Sequence, residues 1–447
     1  MAQYSTQTDQ LLNNNKNIYE VMYLANNANG SIVSTTNPLP AALYSVGGHV
    51  NQIGFDDNTV DAFGRLRIST PHTLFDSANR FDSDTMNWST ANTAGTTFDH
   101  NANTSSLSMN VSTANNVSVV RQTKRYLCYQ PGKSQLVLET FTMQPKANVS
   151  QKVGYFDAGN GIYVENTGST TQMVLRANTT GTVANTVVTQ SNWNVDKFDG
   201  TGPSGITLDM SKSQIFWADI EWLGVGSVRT GFVIDGKFYL VHKFNHANQI
   251  TKTYMSTATL PLRYEIVTTG VASSNTTLEQ ICSTVVSEGG FTRKVITNAI
   301  SNDLAGVSLS ATDYRPLVAI RLKAANVGNV VIPQLANLYG LQSTPFNYKI
   351  LQNATVTNGT WVSAGPESCV EYNITATAVD GGVNLLQGMF IGGTNVQPVE
   401  VRFTEVAGDS YQLRVDLSGT METFVLAAKA TTINDDAIGA VTWVELN

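Results

Sequence analysis

The chain has 447 residues, and its 27 basic and 34 acidic side chains give a formal net charge of −7. Charged residues make up only 14% of it, against roughly 25% in an ordinary soluble domain. No basic cluster is present, which argues against a nucleic-acid partner, and the three widely spaced cysteines predict neither a disulfide framework nor a metal knuckle.

The first ten residues are polar, and no run of about 20 apolar residues follows anywhere. We therefore expect a product that is made in the cytoplasm without a signal peptide and is not inserted into a membrane.

Residues 1–60 are predicted to form an extended N-terminal arm. A turn run from Asn26 to Gly30 and the segment Asn37-Pro38-Leu39-Pro40 interrupt the few apolar residues of this region. Proline fixes an extended backbone and removes a hydrogen-bond donor, so this part of the chain favours a linker or an edge strand over an independent core.

Residues 61–295 show short apolar runs broken by turns, which predicts an all-β sandwich of the jelly-roll type. Asp235-Gly236 stands between two such runs and favours the positive φ values of a tight hairpin. The predicted strands lie at 136–143, 161–166, 173–176, 215–222, 232–234 and 238–241.

Residues 296–447 continue the same style and predict a second, smaller β-sandwich. Residues 333–341 are the one place where a short helix is expected. The predicted strands lie at 317–322, 330–332, 348–351, 371–376, 399–403, 411–417, 424–427 and 441–446.

Candidate chemical groups are few. His242 and His246 are four residues apart, but on a strand this places them about 13 Å apart, so surface or interface positions are favoured over a metal site. Asp219 and Glu221 share one face of a predicted strand, about 7 Å apart. Two carboxylates at that separation could serve a glycosidase, but solvent-facing residues of a half-buried strand are favoured.

The turn from Asp157 to Gly161 offers oxygen ligands for calcium but lacks the EF-hand pattern, so an ordinary turn is favoured. No nucleophile elbow, P-loop or dinucleotide fingerprint is present. The sequence therefore predicts no catalytic residue, no metal, no cofactor and no enzymatic activity.

The segment from Asp61 to Ser77 is the most distinctive of the chain. On a strand, Arg65 and Arg67 would share one face, with Leu66 on the other, and Asp61 and Asp76 are available as their partners. We interpret these four charged residues as assembly anchors between the arm and the first sandwich or a neighbouring subunit. A salt bridge within the domain is the alternative.

This segment, together with Asn37-Pro38-Leu39-Pro40, resembles a pattern of tailed-bacteriophage virion proteins seen in marine phages and cyanophages. The pattern is close to D-x-F-G-R-L-R-[VI]-S-x-P-x-T-[LI]-F-D-S. The resemblance implies a structural virion component and a concanavalin-like (lectin-type) sandwich over 61–295. It identifies no catalytic residue and no position in the particle.

We therefore expect a structural component of a tailed phage particle, located in the virion as a tail or baseplate accessory protein, a fibre or a spike. A head decoration or head-fibre protein is one alternative. The other is an adhesin that binds host surface polysaccharide, for which Trp193 is the candidate glycan contact. The expected partners are other virion proteins and further copies of the chain, a trimer being one such form.

Overall fold

The structure, a computed structural model, describes residues 43–46, 49–53, 60–65, 70–292, 296–303, 306–403, 411–432 and 435–446. Nearly all of their regular structure is β, so the predicted all-β fold is confirmed. The chain divides into two units, residues 1–69 and 70–447. None of the described helices is long and apolar enough to cross a membrane.

In the first unit, β1 (Leu43–Val46) and β2 (His49–Ile53) pair antiparallel. They lie within the predicted arm, whose Asn37 to Pro40 segment lies outside the described residues. The predicted domain boundaries stay a prediction.

The first sandwich of the second unit has a seven-stranded sheet in the order β12-β11-β10-β9-β16-β7-β4. All of its pairings are antiparallel. Its strands are β4 (Trp88–Asn92), β7 (Ser118–Thr123), β9 (Val149–Phe156), β10 (Gly161–Asn166), β11 (Thr171–Ala177), β12 (Ala184–Thr189) and β16 (Leu262–Thr268).

The facing sheet has eight strands in the order β15-β14-β13-β8-β17-β6-β5, with β3 also paired to β17. A 3-10 turn at Gln190–Asn192 follows the other sheet's β12. The eight strands are β3 (His72–Ala78), β5 (Thr97–Asn101), β6 (Ser106–Val111), β8 (Gln135–Thr142), β13 (Gln214–Ile220), β14 (Val228–Ile234), β15 (Lys237–Phe244) and β17 (Thr276–Ser287).

Alternate residues of the two sheets face each other and form one large aromatic and aliphatic core. Trp88, Phe216 and Tyr264 are among its fully buried members. The predicted hairpin at Asp235-Gly236 is confirmed: it joins β14 to β15, and both residues have positive φ, 50° and 76°.

The second sandwich has a five-stranded sheet in the order β18-β30-β21-β28, with β19 also paired to β30, and a six-stranded sheet in the order β24-β25-β20-β29-β22-β27. The first comprises β18 (Ile296–Ser301), β19 (Val307–Leu309), β21 (Val330–Gly340), β28 (Val399–Arg402) and β30 (Asp435–Leu446). The second comprises β20 (Arg315–Leu322), β22 (Pro345–Gln352), β24 (Val362–Ser363), β25 (Val370–Asn373), β27 (Val383–Ile391) and β29 (Phe424–Ala430).

A small hairpin of β23 (Thr355–Thr357) and β26 (Ala378–Asp380) and a 3-10 turn at Ala324–Asn326 complete the second sandwich. The helix expected at 333–341 is wrong, because this stretch belongs to β21. Pro333 is accommodated at a register shift in the pairing with β30, beyond which Ala336 and Leu338 alternate into the core.

The strand expected at 411–417 is also wrong. Val415 makes only an isolated bridge to Met421, and its N–H donates instead to the carbonyl of Lys124 in the first sandwich. The Lys124 ammonium pairs with Glu422 at 2.6 Å. This stretch therefore joins the two sandwiches instead of extending a sheet.

One buried carboxylate stands out within the first sandwich. Glu139 lies on the core face of β8, opposite Phe216 and Ser283, and is fully buried. Neither carboxylate oxygen has a hydrogen-bond partner among the described residues. Burial raises the pKa of Glu139 well above its ordinary value, so the folded protein favours the protonated side chain.

A carboxyl group whose pKa is raised on folding contributes least to the stability of the folded state at high pH. Its contribution to the free energy of unfolding is intact below the pKa of the unfolded state, about 4.5, and is lost as the pH rises toward the folded pKa. Glu139→Gln should therefore be more stable than the parent at pH 8, by about 1–3 kcal/mol, and similar to it at pH 4. Urea unfolding at both pH values measures this. Glu367→Gln, at an exposed position, is the control, and a Glu139→Gln variant less stable at pH 8 would contradict the prediction.

Candidate functional site

The predicted anchors Asp61 and Arg65 form an ion pair within the first unit, with Arg65 Nη2 and Asp61 Oδ2 2.6 Å apart. The other Asp61 oxygen accepts the main-chain N–H groups of Phe63 and Arg65, both at 2.9 Å. The aspartate is buried, whereas the arginine side chain is 44% exposed. Asp61 therefore bonds both to the side chain and to the main chain of a residue four positions away.

Arg67, the second predicted anchor, lies outside the described residues. Asp76 lies on β3, which pairs with β17 at the side of the eight-stranded sheet. Its side chain is exposed and makes no ion pair with a described residue. The role of these residues in assembly stays a prediction.

Trp193, the predicted glycan contact, is only 3% exposed. Its ring lies 6.4 Å from that of Phe232, and its indole N–H donates to the carbonyl of Val188 at 3.2 Å. The polar neighbours that suggested a surface position belong to a turn, under which the ring enters the core. In this structure Trp193 therefore offers no open ring face on which a sugar could stack.

The carboxylates Asp219 and Glu221 differ in their surroundings. Asp219 points away from the core between the sheets but is fully buried, where its carboxylate pairs with Arg229 and accepts the Ser134 hydroxyl. The expectation that it faces solvent is wrong, because neighbouring side chains cover it. Glu221 is half-buried and accepts the hydroxyl and N–H of Ser227.

The two histidines are buried, so the expected surface positions are wrong. Burial lowers the pKa of His242 to about 4, and its ring accepts the N–H of Asn194 at 3.3 Å. His246 stacks on Tyr254 with 4.1 Å between ring centroids. Among the described residues, no three His, Cys, Asp or Glu side chains are grouped to hold a metal ion.

The turn at Asp157 is an ordinary turn in this structure. Its Oδ1 accepts the N–H groups of Gly159 and Asn160, both at 2.8 Å, and Asn160 Oδ1 accepts that of Ser256. The oxygens that suggested calcium are thus occupied by the protein itself.

The surface most suited to binding is one that the sequence-based strand predictions missed. Strand β27 is, at nine residues, the longest edge strand of the described sheets. It contains no charged residue, and Val383, Met389 and Ile391 are 42%, 74% and 59% exposed. A usable signal existed: the uncharged run stands between the glycine pairs Gly381-Gly382 and Gly392-Gly393.

Strand β27 pairs with β22 on one side only, and the described residues supply no hydrogen bond to its outer edge. Strand β15, at the end of the eight-stranded sheet, differs. Its edge carries two lysines and is covered by Asn194, which exchanges hydrogen bonds with the main chain of Lys243. Natural edge strands are commonly protected by charge or by a covering segment, and β27 has neither in the described part of the chain.

No family model and no curated protein matches the sequence. Solved structures match over about half of the chain. The β-glucanase of Bacillus licheniformis is 10% identical, with a TM-score of 0.31, and covers 47% of this chain and 96% of its own. A β-1,3-glucanase from Mycobacterium marinum is 12% identical, with a TM-score of 0.32 over 48% and 98%. A legume lectin-like domain from Entamoeba histolytica is 9% identical, with a TM-score of 0.29 over 47% and 96%.

These matches correct the expectation that the chain has no enzymatic activity, because several of the matched structures are glycoside hydrolases. Scores and identities of this size carry no argument about a substrate or a reaction. The carboxylates must therefore be judged by their own contacts, and Asp219 is engaged by Arg229 and Ser134.

Asp219→Asn would remove the carboxylate that pairs with the buried Arg229 guanidinium. We expect a loss of about 3–5 kcal/mol in the free energy of unfolding, measured by urea denaturation. Glu221→Gln, just beyond the end of the same strand and half-buried, is the matched control and should cost less than about 1 kcal/mol. Equal losses in the two variants would show that burial of the ion pair is not what distinguishes Asp219.

Proposed function

We propose that this protein is a structural component of a tailed phage particle, as a tail or baseplate accessory protein, a fibre or a spike, and that it acts through subunit assembly. The resemblance at residues 37–40 and 61–77 supports the phage assignment. The open edge of β27 supports assembly, and it is the observation that carries the proposal.

The occupant proposed for this edge is a second copy of the chain. An antiparallel pair of β27 strands related by a twofold axis at Gln387 brings the two Gln387 residues opposite each other. The exposed side chains of Met389 and Ile391 lie on the same face as Gln387, whereas Leu385, at a register shift in the pairing with β22, packs against the core. Without charges on the strand, no like-charged side chains meet across the axis.

The pairing also satisfies the main chain. Each unpaired N–H and C=O group of an edge strand needs a partner or water, and a second strand supplies partners along the whole edge. It buries the exposed side chains of Met389 and Ile391 at the same time. This edge joins two copies, and the trimer expected from the sequence stays a prediction.

The register is tested by cysteine substitution in the full chain. Gln387→Cys places two cysteines opposite each other across the axis, where antiparallel partners are about 4.5–5.5 Å apart at Cα, close enough for a disulfide. We expect a covalent dimer on oxidation, detected by non-reducing electrophoresis.

Ile391→Cys alone should not cross-link, because position 391 lies four residues from the axis in each strand. The native Cys282 is exposed, so the parent chain is oxidised in parallel. Cross-linking of Ile391→Cys alone at the level of Gln387→Cys would contradict the register.

Association itself is tested by a charge at the edge. Met389→Glu should convert dimers to monomers in sedimentation equilibrium, because two carboxylates would be brought close to the axis. Val271→Glu is the matched control, since Val271 is 72% exposed but lies in a loop away from β27. Equal dimer populations in the two variants, or a monomeric parent, would overturn assembly through this edge.

The phage assignment is tested separately by locating the chain in purified particles of the phage that encodes it. Labelling of the tail by antibodies against the chain is the expected result in electron micrographs. Labelling of the head would favour the alternative of a head decoration protein. Absence of the chain from washed particles, judged by mass spectrometry, would overturn the virion assignment.

A further inference from the structure

An open cavity of about 320 Å³ lies between the two sandwiches. Strand β3 and residues 125–128 line it from the first sandwich, and β21 and β30 line it from the second. It is unrelated to the β27 edge. Its volume is in the range of sites that hold small organic ligands.

The wall supplied by the second sandwich is apolar except for Gln412. Val330, Ile332 and Leu446 belong to one buried cluster, against which Cys128 and Phe291 pack. The polar side chain of this wall, Gln412, already donates to the carbonyl of Tyr126, so the wall mainly offers surface that buries hydrocarbon.

The wall supplied by the first sandwich carries Arg125, which forms no ion pair with a described residue. The Arg125 guanidinium lies over the Phe75 ring, 5.2 Å from its centroid. Its Nε is buried and has no hydrogen-bond partner among the described residues. The adjacent Lys124, in contrast, is paired with Glu422.

The Arg125 guanidinium keeps its positive charge, but the opposite charges near it balance that charge only weakly. Burial, with a smaller contribution from the like charge of Arg414, lowers its pKa to about 10, while Asp84 and Asp76 act in the opposite direction. Asp84 already accepts hydrogen bonds from Ser77 and Asn87. Asp76 is exposed at the cavity wall and forms no ion pair with a described residue.

We propose that this cavity binds a small carboxylic acid with an apolar body. The carboxylate lies on the Arg125 guanidinium, whose planar donors match its two oxygens, and the apolar body lies against Val330, Ile332 and Leu446. A single negative charge suits the site better than a phosphate dianion, because the Asp76 carboxylate borders the same cavity and the far wall, Val330, Ile332, Gln412 and Leu446, carries no cationic side chain.

Calorimetric titration of the full chain tests this with hexanoate, 1-hexanol and acetate as probes. We expect hexanoate to bind at least about tenfold more tightly than 1-hexanol, which lacks the charge-assisted hydrogen bonds, and more tightly than acetate, which lacks the apolar body. Equal binding of hexanoate and 1-hexanol, or no binding of hexanoate, would overturn the proposal.

Alkylation by N-ethylmaleimide then locates the ligand. Cys128 lines the cavity, whereas Cys282 is exposed elsewhere and serves as an internal control. Hexanoate should slow the labelling of Cys128 and leave that of Cys282 unchanged, as read by mass spectrometry. Calorimetric binding that slows neither thiol, or both alike, would place the ligand elsewhere and overturn the site.

Variants of Arg125 test its role. Arg125→Met should weaken hexanoate binding at least about tenfold and leave 1-hexanol binding unchanged. Arg125→Lys, which keeps the charge but not the planar pair of donors, should lie between them. An unchanged hexanoate affinity in Arg125→Lys and Arg125→Met would contradict the assignment, and the comparison of probes on the parent chain holds even where a variant does not fold.

Discussion

The main constraint on this molecule is that an almost wholly β chain must complete its sheet edges with very few charges. Open sheets leave N–H and C=O groups unpaired at their sides, and only 14% of the residues here are charged. Covering segments take over part of the task. Asn194 bonds to the main chain of Lys243 on β15, and the N–H of Leu417 bonds to Ser89 on β4. Strand β27 is the long edge that no described segment covers, so it is where a second chain has most to contribute.

Several of the few charges are paired inside the molecule. Burial would raise the pKa of Glu265, but Lys152 and Arg263 outweigh it and lower that pKa to about 2. Asp219 and Arg229 form another pair away from solvent. Buried pairs of this kind are costly to break although their net contribution to stability is modest. Because these charges are paired inside, amides, hydroxyls and scattered apolar groups contribute much of the surface. Such a surface can pack against neighbours without removing many ions from water.

Features that depend on neighbouring residues could be predicted from the sequence. The Asp235-Gly236 hairpin is set by two adjacent residues that accept positive φ, and the pair of strands at 161–176 follows from local alternation.

Features that depend on packing between residues distant in the chain could not be predicted from the sequence. Trp193 has polar neighbours in the chain, yet its ring meets Phe232 from another strand. A short helix was expected at 333–341, but a register shift opposite β30 accommodates Pro333 in a strand. Asp219 was expected in solvent because its burial results from side chains remote in sequence.

The meeting of the two sandwiches shows the same dependence on distant residues. The stretch beginning at Tyr411 alternates like a strand, yet the partner of Val415 is the carbonyl of Lys124, nearly 300 residues away in the chain. Once that bond and the Lys124–Glu422 pair join the sandwiches, the next residue, Arg125, is held at their junction. There its guanidinium has an aromatic ring beside it, and the described residues supply no ion pair to it. The same contact between the two sandwiches therefore explains both residues. It pairs Lys124 with Glu422, and it leaves a cavity beside the guanidinium of Arg125.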